Sequence, residues 1–171
     1  MPGYVIHLSI AEEYLKKHDK KENYSEFIEG VIFPDSVTDK SLTHYGPSSS
    51  QVNLYNFLKE HEFNDSFTRG YFLHLLTDYL FYNKYINFFS KDIYNDYDIL
   101  NKELIKKYDV NLPDKVKKYV FFKENIELKI LSYSLIETFI KDVSDMDIDK
   151  LIIEINQNID KWIKIRPLKK K

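Results

Sequence analysis

The sequence predicts an all-α, single-domain helical bundle. Apolar residues recur mostly at three- and four-residue spacing rather than alternating, which is the periodicity of a helix with one buried face. Only four Gly and five Pro occur, so turn punctuation is sparse. The 171 residues suit one core, and 14 Tyr and 12 Phe supply bulky packing material for it.

Ser9-Ile10-Ala11-Glu12 has capping-box form and predicts a first helix over 10–18. Residues 24–31 form a short helix candidate that ends before Phe33-Pro34-Asp35, because proline biases its predecessor towards extended geometry. Asp35 is therefore expected on a loop. Residues 36–50, rich in Ser, Thr, Gly and Pro, read as a second irregular stretch carrying Thr43-His44-Tyr45-Gly46. Residues 51–61 are amphipathic, and 66–89 read as one long, aromatic-rich, heavily buried helix. Its run Tyr79, Phe81, Tyr82, Tyr85, Phe88, Phe89 is core at that spacing. Helices follow over 98–108, 113–122, 124–142 and 147–165 as scaffold, and Lys169-Lys170-Lys171 reads as a frayed basic end.

The formal charge of -2 gives no basic field to gather nucleic acid, so no stable nucleic-acid complex is expected. No run reaches the roughly 18 apolar residues that span a bilayer, and Met1-Pro2-Gly3-Tyr4-Val5-Ile6-His7 does not read as a signal peptide. The expected location is the cytoplasm. With no cysteine, thiolate nucleophiles and Cys-based zinc motifs are excluded, so any bound metal must be held by imidazole and carboxylate.

His74 and Asp78 stand four residues apart, so on a helix they project from one face towards one cation. Their neighbours, from Tyr71 to Phe81, are almost wholly apolar, and buried ionisable groups need partners to offset their desolvation. Asp35 and His44, in the two irregular segments upstream, complete a set of two imidazoles and two carboxylates. The metal site is thus expected between the central long helix and two upstream loops.

At these residues the chain resembles the zinc-dependent phospholipase C-like hydrolases, relatives of bacterial phospholipase C and of single-strand-specific zinc nucleases. Four pieces carry the resemblance, all in the first half of the chain: His7, the Gly30 to Asp35 stretch, the Thr43-His44-Tyr45 loop, and the Gly70 to Asp78 stretch. It implies one zinc on Asp35, His44, His74 and Asp78, with Asp78 bridging to a second ion that His7 helps to hold. It also implies Asp35 as general base beside its ligand role. The family's trinuclear members place further histidines beyond the bridging Asp, whereas no histidine follows His74 here. One or two divalent ions are therefore expected, zinc first, with Fe or Mn as alternatives for a His/carboxylate set.

The expected function is metal-dependent hydrolysis of a phosphoester, on a small molecule or a lipid headgroup, by a metal-activated water. Lys40 and Arg69 are the candidates to hold the substrate phosphate. The alternatives are a non-catalytic metal-binding module of the same fold, or an HD-type phosphohydrolase built on His18-Asp19. That dipeptide lies among lysines and reads as surface. His61, at the end of an amphipathic helix, reads as structural.

Overall fold

The computed structural model describes residues 2–18 and 21–170. It is all-α: among the described residues ten helices, named α1 to α10 in chain order, surround one hydrophobic core. Among the described residues no helix is long and apolar enough to cross a membrane.

Helix α1 spans Tyr4–Lys17 and begins six residues before the sequence places it. Val5, Ile6, Leu8 and Ile10 are all buried, and an extended start would forfeit that burial. Ser9 is consequently not a cap: its hydroxyl donates to the Val5 carbonyl oxygen one turn back, at 2.7 Å. His7 moves from the approach to a helix into its buried interior.

Helix α2 (Tyr24–Ile32) is capped by the Asn23 side chain, which accepts from Glu26 N at 3.0 Å. Asp35 follows in a 3-10 turn, Phe33–Ser36, rather than in an open loop. Phe33 keeps helical dihedrals (φ -58°, ψ -46°) although proline follows it, so the pre-proline bias is overridden here. The second expected loop contains α3 (Ser41–His44), one turn ended by Tyr45 in the left-handed region at φ 58°, and a 3-10 turn at Ser49–Gln51. Asp35 and His44 thus sit on short helical turns, while 37–40 and 45–48 remain irregular.

Helix α4 (Leu54–Glu60) leads to α5 (Ser66–Leu80), whose N-cap Asp65 accepts from Thr68 N at 2.6 Å. Every residue of α5 except Phe67 is buried, which makes it the central helix. It does not run to 89: it widens into a π-turn over Phe81–Tyr85, where Ile86 N bonds the Phe81 carbonyl. A two-residue strand, β1 (Phe88–Phe89), then pairs in parallel with β2 (Lys169–Lys170), so these two lysines are tied down rather than frayed; Lys171 lies outside the described residues.

Helix α6 (Asp92–Tyr108) starts six residues earlier than expected, and α7 (Asp114–Lys117) is a single turn. No helix occupies 118–132; there the chain is held by the Asp96 carboxylate, which accepts from Lys129 N, Ile130 N and Leu131 N. Helices α8 (Tyr133–Asp145), α9 (Ile148–Gln157) and α10 (Ile159–Trp162) complete the fold.

The pairing that matters most for the site is α2 on α5. A Cβ on Gly30 would lie 2.0 Å from the Phe67 carbonyl oxygen, and one on Gly70 would lie 2.0 Å from that of Phe27. Only glycine at both positions lets the two backbones meet this closely.

Candidate metal centre

Helix α5 presents His74 and Asp78 one turn apart on a fully buried face. The close α2–α5 approach puts the Val31 carbonyl, in the last turn of α2, against the His74 ring: Nδ1 lies 2.6 Å from Val31 O. A carbonyl oxygen can only accept, so Nδ1 is the protonated nitrogen and Nε2 is turned inward. His44 is fixed in the same way. Its Nδ1 lies 3.1 Å from the Lys40 carbonyl oxygen and 3.0 Å from Thr43 Oγ1. The Thr43 hydroxyl donates to the Pro34 carbonyl at 2.8 Å, and the Tyr71 hydroxyl to the Thr43 carbonyl at 2.6 Å. These two bonds lock α3 to the turn that carries Asp35 and to α5.

The four inward groups, Asp35, His44, His74 and Asp78, each offer one ligand atom, and those atoms all lie within 4.8 Å of one another. His44 Nε2 is 3.0 Å from Asp78 Oδ2 and 3.5 Å from Asp35 Oδ1. His74 Nε2 is 3.4 Å and 3.6 Å from the same two oxygens. Despite this proximity, both Nε2 atoms and all four carboxylate oxygens lack hydrogen-bond partners of acceptable geometry. They converge on a common point instead of pointing at one another. Buried polar atoms are seldom left unsatisfied, and two imidazoles fixed by Nδ1–H bonds to carbonyls, facing two carboxylates, are the donor set of a divalent cation. The cluster can hold a metal ion.

His7, from α1, adds a fifth group. Its Nε2 is 3.1 Å from Asp78 Oδ1, the oxygen turned away from His44, and its ring stacks on His74 at 3.7 Å between centroids.

The electrostatics follow from two carboxylates buried side by side. Burial would raise both, yet His74 above all, with His44, holds Asp35 and Asp78 below the usual carboxylate range, and His7 adds to this at Asp78. Burial would lower His74, but Asp35 and Asp78 outweigh it and push its pKa up to about 10. His44 is raised against burial by the same two carboxylates. His7 is lowered by burial and by the neighbouring His74. Two negative charges here require two positive ones, which either two imidazolium protons or one divalent ion can supply.

A cavity of about 690 Å³ adjoins the cluster, and Asp35 is the member of the four that lines it. Tyr4, Phe33, Tyr94, Tyr97 and Tyr119 give it aromatic walls. Lys40 lines it too: its Nζ donates to the Asp35 carbonyl at 2.7 Å and the Val37 carbonyl at 2.8 Å, and lies 3.7 Å from Asp35 Oδ1. Arg69 does not line it. Its guanidinium is engaged by Glu22 and by Asp149, the latter at 2.7 Å, and ties α5 to the start of α9.

His18 caps α1, stacks on Tyr14 and has Nε2 2.8 Å from the Ser144 carbonyl. Eleven residues separate it from His7, about 16 Å along the axis. Asp19 lies outside the described residues. His61 ends α4, with Nε2 2.5 Å from Tyr45 Oη and its ring stacked on Phe57. The residue that sequence reasoning misses is Tyr97, which lines the cavity with its hydroxyl buried and unpartnered. Nothing in its local pattern sets it apart from the other core tyrosines. No family model, curated protein or solved structure matches the chain.

Proposed function

We propose that the protein is a metal-dependent hydrolase of a phosphoester, using a water activated at the Asp35, His44, His74 and Asp78 cluster. The observation that carries this reading is that Asp35 belongs both to the convergent ligand set and to the wall of a ligand-sized cavity. Zinc is the first choice of ion, with Fe or Mn compatible with the same donors. When bound, such an ion lowers the pKa of a coordinated water and polarises a phosphoryl oxygen.

The chain's own groups then have distinct tasks. His44 and His74, braced through Nδ1, present Nε2. Asp78 offers one oxygen to that set and the other towards His7. Asp35, kept ionised by its imidazole neighbours, is in place to accept a proton from water at the cavity wall. Lys40 brings positive charge to the same wall.

A second reading, a metal-binding module without catalysis, is favoured by the closure of the cluster, since the side chains of His44, His74 and Asp78 are 0% exposed. Elemental analysis of the purified protein, with bis(p-nitrophenyl) phosphate turnover by the Zn, Mn and Fe forms and by His74→Ala, separates the two. Stoichiometric metal with turnover that His74→Ala abolishes supports the hydrolase. Metal without turnover of this or related esters supports the module, and absence of any transition metal sinks both.

A further inference from the structure

We propose that Tyr97 Oη and Lys40 Nζ, from two residues that line one cavity with Asp35, form an oxyanion subsite that holds the non-bridging oxygens of a phosphate group there. This rests on the phosphoester reading and adds to it a binding group that neither motif nor spacing indicates.

Tyr97 stands on α6 and lines the same cavity as Asp35. It is 5% exposed, and its hydroxyl has no hydrogen-bond partner. An unmade bond to a buried hydroxyl is costly, so such a group persists where something else completes it. The other orphaned side-chain atoms are the convergent ligands, His7, Trp162 Nε1 and Arg166 Nε. Of His7, Trp162, Arg166 and Tyr97, Tyr97 alone lines this cavity among the described residues. Burial first, then the charges of Asp78 and Asp35, hold the Tyr97 hydroxyl in its neutral, donating form.

The chemistry of the wall selects the ligand. An anion approaching two carboxylates is repelled unless donors and positive charge meet it. A neutral phenol donates one hydrogen bond at no charge cost. Lys40 has three N–H bonds and spends two on the Asp35 and Val37 carbonyls, leaving one for the cavity. Two donors on the wall that Asp35 lines match a tetrahedral oxyanion, whose several oxygens can meet both donors.

The test uses the cobalt(II)-loaded full chain titrated with inorganic phosphate and followed by the cobalt absorption spectrum. Wild type, Tyr97→Phe and, as a control away from this cavity, the exposed Tyr133→Phe are compared. Tyr97→Phe should load cobalt as wild type does, with an unchanged spectrum before phosphate, yet bind phosphate about 10-fold more weakly, the equivalent of one lost hydrogen bond. Tyr133→Phe should match wild type. Equal phosphate affinity in Tyr97→Phe and wild type overturns the subsite while leaving ester turnover, measured separately, to decide the hydrolase reading. A wild-type spectrum that phosphate does not move overturns the subsite as well. Failure to bind cobalt overturns both.

Discussion

His74 gives its Nδ1 proton to the Val31 carbonyl at 2.6 Å, and this one bond decides which nitrogen faces the carboxylates. It joins the end of α2 to the centre of α5 and makes the site a product of the helix packing. Because Asp35 and Asp78 carry buried charge that the fold leaves without hydrogen bonds, an ion in the cluster should stabilise the whole protein. At free metal one hundred times Kd, linkage gives about 2.7 kcal/mol, or roughly 5–10 °C in Tm for a chain of this size. Differential scanning fluorimetry of metal-loaded and EDTA-treated protein measures it; identical melting curves would sink the metal centre.

The pH dependence of that stabilisation has a definite sign. Without metal, His74 titrates near 10, above its unfolded value of about 6.5, because Asp35 and Asp78 outweigh the cost of burial. Its contribution is complete below pH 6.5 and fades as pH rises towards 10. His44 is raised too and acts in the same direction. The lowered His7 costs stability only below pH 6.5, where the unfolded chain would protonate it, and has no slope above. The two raised groups therefore predict that the metal-free form loses stability from pH 6.5 upwards. Metal binding displaces those protons and is favoured by rising pH. The gap in Tm between loaded and metal-free protein should therefore widen from pH 6.5 to 9, and parallel curves for the two forms would contradict this assignment.

Gly70→Ala should reverse the usual sign of a glycine replacement within a helix. Alanine is ordinarily favoured over glycine by about 1 kcal/mol in a helix interior. Here its Cβ would sit 2.0 Å from the Phe27 carbonyl oxygen, and backbone cannot swing aside as a flexible side chain can. The helices must separate, at a cost of roughly 3 kcal/mol or more by analogy with overpacked cores. Separation also draws Val31 away from His74, so any folded fraction should bind metal at least about 10-fold more weakly, as loss of an outer hydrogen bond does elsewhere. Urea denaturation together with chelator competition reads both effects, and a stabilised variant with wild-type metal affinity would refute the argument.

How much of this was legible in the sequence depended on the range of the interaction. His74 and Asp78 are one helical turn apart in an apolar run, so their shared face follows from spacing alone. Asp35 and His44 joined them through family resemblance, and their seating on helical turns came from long-range bonds such as Thr43 to Pro34. Ser9 misled because a capping sequence is a local signal, and the burial of Val5 and Ile6 outweighed it. Tyr97 was invisible because an orphaned hydroxyl exists only once α6 is packed beside the site. The same holds for 118–132, where apolar spacing suggested helices and a distant carboxylate decided otherwise.

That carboxylate, Asp96, is 0% exposed and accepts three main-chain hydrogen bonds, from Lys129 N at 2.9 Å, Ile130 N at 2.7 Å and Leu131 N at 2.8 Å. It does for an irregular stretch what a cap does for a helix, satisfying consecutive N–H groups that have no helical partner. Asp96→Ala removes all three acceptors at once and leaves a cavity. Bonds to a charged group contribute about 1.5–3 kcal/mol each and are not additive, so a loss of about 3–5 kcal/mol is expected. Asp96→Asn keeps one carbonyl oxygen and should lose roughly half as much. Neither residue touches the ligand cluster, so metal content per folded molecule should stay at the wild-type value. Urea midpoints for the two variants, with elemental analysis alongside, check this. A loss under about 1 kcal/mol for Asp96→Ala would mean that neighbouring acceptors hold the segment instead.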